Sequence, residues 1–223
     1  MKKTNYFFLL AVIVLFAFMS NGCKKSSDSD TTNDGNPTPM GNVGNTFTGG
    51  ITGASNLNGI ITVNKNGIST IHCTGTITDP GIKTVMGLIN SGSLLNLNTT
   101  TGEFSVDMKA RFTDTGIVDF LSSDGTGSAL IGYGAVVGTK YTCKNAEGHT
   151  FTREVTAVST ADDYYWGGIM IKTTTVKELS PARGIEKIEY RTNHKFGLVG
   201  ITIYLDDATT YFLPVYSTST NEQ

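Results

Sequence analysis

This 223-residue chain has little cysteine, histidine, tryptophan or charge. It contains three cysteines, three histidines and one tryptophan, and 16% of its residues are charged. No CxxC pair and no Cys/His cluster occurs, so the sequence predicts no structural zinc and no cofactor. Neither GxSxG nor HExxH is present, so these two hydrolase signatures are lacking as well. After residue 22, no apolar run approaches the roughly 20 residues that a membrane-spanning helix needs.

The charge balance argues against a nucleic-acid partner. The chain has 17 Lys and Arg against 19 Asp and Glu. Removal of residues 1–22 takes Lys2 and Lys3 with it and leaves 15 basic and 19 acidic residues, a net charge of −4. Proteins that bind nucleic acid need clustered Lys and Arg to displace counterions from the phosphates. The mildly acidic mature chain does not have that character.

The N-terminus has the pattern of an export signal. Lys2 and Lys3 precede an apolar run of 14 residues from Tyr6 to Met19, which is the length of a signal-peptide core and too short for a membrane span. The residues Ser-Asn-Gly follow, directly before Cys23. Small residues at positions −3 and −1 suit cleavage before Cys23 by an ordinary signal peptidase.

This segment also resembles the lipobox of bacterial lipoproteins, in which the cysteine after the cleavage site carries a diacylglycerol. Ser20 and Asn21 depart from the Leu and the small residue usual at those two positions. The resemblance implies a signal peptide over 1–22, a lipid on Cys23 and attachment to the outer membrane, either facing the periplasm or displayed at the cell surface. The polar stretch 23–45 that follows predicts a flexible tether, because it has almost no apolar side chain to bury.

From residue 46 onward the dominant hydrophobic period is two. The stretch Glu103–Phe112 shows it best, with Phe, Val, Met, Ala and Phe on one face and charged or polar residues on the other. The sequence Asn64-Lys65-Asn66-Gly67 predicts a tight hairpin turn, and a second hairpin is predicted for 140–144 with 151–159. We therefore expect an all-β antiparallel sandwich over 46–216, as one unit or as two small packed modules divided within 113–137, and a polar tail at 217–223.

Three further elements are expected from the pattern. Tyr164–Glu178 predicts one long strand, and 80–89 is the only stretch with a helical pattern. Pro214 lacks an N–H and therefore indicates a sheet edge or a strand end near 201–216. Cys73 and Cys143 fall in two strands, so the sequence predicts either a disulfide between them or two separately buried cysteines.

The sequence Asp162-Asp163-Tyr164-Tyr165-Trp166 is the strongest candidate for a ligand-binding site. Alternation places Tyr164 and Trp166 on one face, where an aromatic platform beside carboxylates could hold a sugar or a protein. Two structural alternatives remain at this stage, because a lone tryptophan also suits a sheet core and paired Asp residues also form turns.

Three function classes follow from these patterns. The first is a non-catalytic envelope module that binds a glycan or a protein through Asp162, Asp163, Tyr164 and Trp166. The second is an assembly subunit with an open apolar sheet edge near 201–216. The third is a small glycan hydrolase, which would need the acids of 162–163 or 206–207 to face each other across a cleft.

Overall fold

The computed structural model describes residues 35–79, 95–120, 127–144, 150–179 and 185–221. Their regular structure is strand, apart from a short 3-10 helix at Pro39–Gly41. The strands are β1 (Thr46–Gly49), β2 (Ala54–Lys65), β3 (Ile68–Ile77), β4 (Leu95–Leu97), β5 (Glu103–Thr113), β6 (Gly116–Asp119), β7 (Ser128–Gly132), β8 (Lys140–Lys144), β9 (Thr150–Val158), β10 (Tyr164–Trp166), β11 (Ile169–Ile171), β12 (Thr174–Leu179), β13 (Ile185–Asn193), β14 (Gly197–Leu205) and β15 (Thr210–Ser217).

Twelve of these strands follow one another in a single antiparallel sheet. Their order is β7-β6-β5-β3-β2-β1-β15-β14-β13-β12-β9-β8, with β4 paired to β5 outside this path and β10 paired to β11 as a separate hairpin. Almost every strand lies beside its neighbour in sequence, and the pairing of β1 with β15 joins the two ends of the chain. The sheet curls until β7 approaches β8, where Tyr141 Oη accepts a hydrogen bond of 3.0 Å from the backbone N–H of Gly132.

The prediction of an all-β antiparallel fold is thus confirmed, but the two-sheet sandwich is not what the structure shows. One nearly closed, barrel-like sheet takes its place. In the described part of the chain no strand pairing joins β7 to β8, and we call this gap the seam. Alternation cannot distinguish the two architectures, because each buries one face of every strand. The division predicted within 113–137 falls on β6 and β7, next to the seam.

Local turn chemistry explains where several strands begin and end. Between β2 and β3, Asn66 and Gly67 both have positive φ angles, of 55° and 76°, as a two-residue hairpin turn requires. The hairpins β2–β3 and β8–β9 lie where the sequence predicts them. The single long strand predicted over 164–178 is wrong. Gly167 and Gly168, with φ angles of 56° and 94°, turn the chain back after Trp166, so that β10 pairs with β11 and β12 starts separately.

The predicted sheet edge at residues 201–216 is present only in part. β14 lies between β13 and β15 and is an interior strand of the sheet. β15 pairs with β14 over 210–214 and with β1 over 215–217, so among the described strands the stretch 210–214 has no backbone partner on its β1 side. Pro214 is tolerated there because β1 pairs with β15 only as far as Gly49, opposite Val215. The missing N–H of Pro214 therefore falls just beyond the end of β1, where no ladder hydrogen bond is lost.

The core lies inside the curled sheet and follows the predicted alternation. In β5 the side chains of Phe104, Val106, Ala110 and Phe112 are buried, and the intervening residues are exposed or half-buried. The interior cluster also draws apolar residues from most of the other strands. Burial of this kind stabilises the fold by about 25 cal/mol for each Å² of apolar surface removed from water.

Part of the predicted tether belongs to the fold. Within 35–45, Met40 is fully buried, and the Gly41 carbonyl accepts hydrogen bonds from Ser69 Oγ at 2.7 Å and Asn64 Nδ2 at 2.8 Å. The polar tail is attached as well, because Asn221 is buried and donates a hydrogen bond to the His194 carbonyl at 2.6 Å. The folded unit therefore extends on both sides of the predicted range 46–216.

Several predictions fall outside the described residues. They are the signal peptide 1–22, the lipid attachment at Cys23, the tether up to residue 34, the helical stretch 80–89 and the last two residues of the tail. In the ranges that the structure describes, no helix is long and apolar enough to span a bilayer.

Candidate functional site

The hairpin β10–β11 carries the aromatic residues that the sequence singled out. Trp166 is only 9% exposed and packs in a small cluster with Ile171 and Val199. Its ring lies 4.5 Å from that of Phe196, and its indole N–H donates a hydrogen bond of 2.8 Å to the Val215 carbonyl. Both the apolar face and the polar group of this tryptophan are thus satisfied within the chain. Trp166 is not an exposed platform.

The opposite face of the same hairpin is open to solvent. Tyr165 is 70% exposed, and its cross-strand partner Met170 is about half exposed. The predicted alternation, with Tyr164 and Trp166 on one face and Tyr165 on the other, is therefore confirmed, but the buried face is the one that holds the tryptophan. Tyr164 is half-buried beneath the Arg191 guanidinium, 4.9 Å from its ring centroid.

The paired carboxylates lie at exposed turns. Asp163 accepts a hydrogen bond of 2.7 Å from Ser159 Oγ, and Asp162 beside it is exposed. Asp207 accepts a hydrogen bond from the backbone N–H of Thr209 within its own turn. Neither pair lines the interior cavity described below. Ligand binding by Asp162, Asp163 and Tyr164 stays a prediction.

The two strand cysteines do not form the predicted pair. Cys73 in β3 is a free, buried thiol, and burial raises its pKa to about 12. Cys143 in β8 is fully buried. A free thiol at Cys73 excludes a disulfide between Cys73 and Cys143 in this structure.

The interior of the sheet contains a cavity of about 170 Å³ that is partly open to solvent. Its walls come from strands all around the sheet and are almost wholly apolar. The apolar lining residues are Phe47, Leu57, Ile71, Cys73, Phe104, Met108, Ala110, Phe112, Ile117, Leu130, Leu198, Ile201, Leu213 and Val215. Two of the wall residues, Gly49 and Gly59, have no side chain to fill the space. A methyl group at Gly59 would come within 3.2 Å of Cys73 Sγ.

The cavity has a solvent-facing side and a buried polar side. Leu57 and Leu213, from strands in the middle of the sheet order, are partly exposed. Asp119, Arg153 and Tyr190 also line the cavity and are almost completely buried. They come from β6, β9 and β13, near the two ends of the sheet order, which closure of the sheet brings together.

These three residues and Glu178 form a buried charge cluster. Arg153 donates from Nη1 to Asp119 Oδ2 at 2.6 Å and from Nε to Glu178 Oε2 at 2.8 Å. Nη1 also reaches the Ala129 carbonyl in β7 at 3.2 Å, and Tyr190 Oη donates to Glu178 Oε2 at 3.2 Å. Arg153 in β9 therefore bonds to β6 and β7 on the other side of the seam. Hydrogen bonds from the Arg153 side chain thus connect the two ends of the sheet, where backbone pairing is missing.

The cluster holds one guanidinium and two carboxylates away from water. Burial alone would lower the pKa of Arg153, but the charges of Asp119 and Glu178 outweigh it and raise that pKa, so Arg153 stays charged. Burial is also the largest influence on Glu178 and raises the pKa of its carboxyl group despite the neighbouring Arg153. One cation cannot neutralise both carboxylates, and burial makes Glu178 easier to protonate than an exposed glutamate.

The sequence contained a signal for this cluster. Each charged member occupies an inward position of an alternating strand: Asp119 follows Ile117 by two, Arg153 lies between Phe151 and Val155, and Glu178 follows Val176 by two. A charge in phase with buried apolar residues is rare unless it is paired inside. Three such positions in three strands therefore indicate a shared interior network.

Among the described residues, no group of three or more His, Cys, Asp and Glu side chains could hold a metal ion. Comparisons of the chain with protein-family models, with curated proteins and with solved structures find no match.

Proposed function

We propose that this protein is a non-catalytic binding protein of the bacterial envelope, anchored to the outer membrane through a lipid on Cys23, and that its ligand is a small apolar molecule or group held in the interior cavity. The observation that carries the proposal is an apolar cavity of about 170 Å³ in the centre of the core, partly open to solvent. Protein interiors are normally packed without such space, since it forfeits dispersion contacts and costs stability.

The size of the cavity limits the ligand. An engineered apolar cavity of about 150 Å³ in another protein binds benzene, whereas sites for drug-sized ligands measure roughly 300–1,000 Å³. A single ring or a short aliphatic chain therefore matches the cavity, and a complete lipid is too large for it.

The interior site accounts for the structure better than a glycan platform, an assembly subunit or a glycan hydrolase does. A glycan platform needs an exposed tryptophan, and Trp166 is buried. An assembly subunit needs a long open edge, whereas β14 is paired on both sides and β15 lacks a described partner on its β1 side only over 210–214. A glycan hydrolase needs converging acids in a cleft, whereas Asp162, Asp163, Asp206 and Asp207 are exposed turn residues.

The cavity can be tested with toluene as the probe, added to the mature chain and followed by isothermal titration calorimetry and by the thermal unfolding midpoint. Binding to the folded state alone raises the midpoint as toluene concentration increases. In the variant Ala110→Leu, a larger side chain enters the cavity, and toluene binding should be lost. The matched control Ala157→Leu makes the same change at an exposed position of β9 and should leave binding intact. A wild-type chain with no response to toluene contradicts the proposal.

The anchor has a separate test. Expressed in a Gram-negative host, the chain should appear in the outer-membrane fraction, and mass spectrometry should find an acylated N-terminal Cys23. Cys23→Ser removes the thiol that carries the lipid and should release the mature chain into the soluble periplasmic fraction. An unmodified wild-type Cys23 in a soluble mature protein would refute lipid attachment.

A further inference from the structure

One end of the barrel-like sheet exposes apolar side chains in its turns, and the chain that leads from Cys23 enters the fold at the same end. We propose that this end faces the membrane, and that Val136, Val137 and Ile169 insert between the lipids there. The proposal rests on one part of the proposed function, the lipid on Cys23. It adds the surface of the folded unit that the bilayer contacts.

The first described residues show where the chain from Cys23 enters. The Asn36 carbonyl accepts a hydrogen bond of 3.0 Å from the backbone N–H of Asp114, and the Asn36 side chain donates to Asp114 Oδ2 at 3.0 Å. Asp114 lies in the turn between β5 and β6, and Pro37 lies beside Gly67 in the turn between β2 and β3. We call the end of the sheet that carries these turns the tether end.

The length of the preceding segment keeps the tether end near the lipid. Eleven residues, 24–34, separate Cys23 from Gly35. Their composition predicts a flexible tether, and a tether of this length has an end-to-end distance of about 20 Å. The opposite end of the sheet lies a strand length farther away, roughly 30 Å for the nine residues of β13. The tether end is therefore the part of the sheet that meets the bilayer most often.

The loop between β7 and β8 lies at the tether end and exposes two valines. Its residue Tyr133 donates a backbone hydrogen bond of 2.8 Å to the Thr115 carbonyl in the β5–β6 turn. Val136 and Val137 are 68% and 61% exposed. Turns normally carry Gly, Pro, Asn, Asp or Ser, so two adjacent exposed valines break a local rule. Such breaks are expected at functional sites.

The same loop can enter an apolar medium because it pairs its own polar groups. The backbone N–H of Val136 donates to Thr139 Oγ1 at 3.2 Å, and the Thr139 N–H donates to the Val136 carbonyl at 3.0 Å. The Gly138 N–H donates to the Val155 carbonyl at 2.8 Å. Unpaired backbone groups are very costly in lipid, and these three donors already have partners.

The tip of the β10–β11 hairpin lies at the tether end as well. Trp166 packs against Phe196 in the turn between β13 and β14, with ring centroids 4.5 Å apart. Met40, close behind the entry point of the tether, lies against Gly197 directly after that turn. Ile169 is the cross-strand partner of Trp166 and is 48% exposed. A second apolar side chain thus projects from the same end as the two valines.

The charges at the tether end indicate what drives the contact. Its turns and strand ends carry as many exposed lysines as exposed aspartates, namely Lys65, Lys172 and Lys195 against Asp114, Asp162 and Asp163. Insertion of apolar side chains, and not attraction to anionic lipid, therefore provides the contact. Such a contact is weak for a free chain, but a short tether raises its effective concentration to about the millimolar range.

The test uses the single tryptophan as its reporter, because Trp166 lies at the tether end. The acylated mature chain is reconstituted into vesicles of phosphatidylethanolamine and phosphatidylglycerol that contain a nitroxide-labelled lipid, which quenches tryptophan only at short range. Quenching is expected in these vesicles and not in unlabelled ones. The double variant Val136→Ser with Val137→Ser loses apolar surface that would insert, so its quenching should fall about twofold or more. The control Leu179→Ser removes a similarly exposed side chain at the opposite end of β12 and should leave quenching unchanged.

The outcomes separate this inference from the proposed function. A wild-type chain without quenching would overturn the inference, and so would a double variant quenched as strongly as the wild-type chain. A second copy covering the valines would appear as a dimer in light scattering, without quenching, and would also overturn it. In each of these cases an acylated Cys23 and toluene binding still preserve the proposed function. If mass spectrometry finds no lipid on Cys23, the proposed anchor itself fails, and the inference fails with it.

Discussion

The β10–β11 hairpin and the interior of the barrel-like sheet both contain clustered aromatic side chains, and those of the interior surround a cavity. At the hairpin, Trp166 fills its surroundings and its N–H is satisfied by the chain itself. In the interior, apolar residues from many strands surround a cavity, and charged residues lie at its inner side. The difference teaches that aromatic content marks packing as readily as binding, whereas unfilled space beside buried charge points to a ligand.

The largest expected effect comes from breaking the charge cluster. Arg153→Met leaves two buried carboxyl groups without their cation and removes the bonds across the seam, and we expect the free energy of unfolding to fall by about 3–5 kcal/mol. Lys140→Met is the matched control, because it breaks an exposed ion pair with Glu154 at 3.8 Å and should cost less than about 1 kcal/mol. Urea unfolding measures both. Equal costs for the two variants would show that the cluster does not hold the sheet closed.

The next effect tests whether Trp166 of the hairpin is a packed core residue or an exposed binding platform. Trp166→Ala removes the contacts with Phe196 and the hydrogen bond to the Val215 carbonyl, and it should cost about 3 kcal/mol. Tyr165→Ala, on the exposed face of the same hairpin, should change stability by no more than about 0.5 kcal/mol. Urea unfolding of the two variants gives both values. If Trp166→Ala left the free energy of unfolding nearly unchanged, Trp166 would be an exposed residue and not a packed one.

The single tryptophan also reports its environment directly. In the native mature chain its fluorescence maximum should be blue-shifted, and iodide should quench it little, because the indole is buried. On unfolding in urea the emission should shift to the red and become fully quenchable. A native emission that is red and quenched as strongly as in urea would place Trp166 at the surface.

A smaller effect depends on pH. The pKa of Glu178 is raised in the folded state, mainly by burial, so the folded chain holds a proton that the unfolded chain releases at lower pH. Its contribution to stability is therefore greatest below the unfolded value, near pH 4.3, and is lost as pH rises through the folded pKa. Glu178→Gln removes this dependence, whereas Arg153, Asp119 and Tyr190 remain. The wild-type stability minus that of Glu178→Gln should fall with rising pH in denaturant titrations, and a rise would show that Glu178 is charged in the fold.

Local pattern predicted much of the fold and little of the site. Alternation gave the strands, and Asn66-Gly67 gave a hairpin turn, because both depend on neighbours in the chain. The same alternation wrongly predicted that the strand continues through Gly167 and Gly168. Both glycines have positive φ angles that turn the chain, and a hydrophobicity pattern does not reveal backbone angles. The closure of the sheet and the position of β15 beside β1 depend on pairing between distant segments, which one sequence does not show.

The candidate site was also poorly predicted, because its residues are brought together by contacts between distant segments. The residues around Trp166 predicted a binding site because aromatic and acidic side chains are adjacent in the sequence there, but in the structure this stretch forms a turn and a short hairpin. Asp119, Arg153 and Glu178 are far apart in the chain and meet only when the sheet curls. The sequence pattern showed that these three side chains point to the interior, but it did not show the cavity beside them.

The pairing of the first and last strands has a consequence for how this chain reaches its native state. Thr46 and Thr218, which are hydrogen-bonded across this junction, lie 172 residues apart in the chain, whereas most other strand pairs close within a short turn. Hairpins with local contacts form early, and a junction of such high contact order pays the greatest loop-closure entropy. The two halves, β1–β7 and β8–β15, can thus build their meanders independently, and the β1–β15 junction is the step expected to limit the rate at which one continuous sheet is assembled.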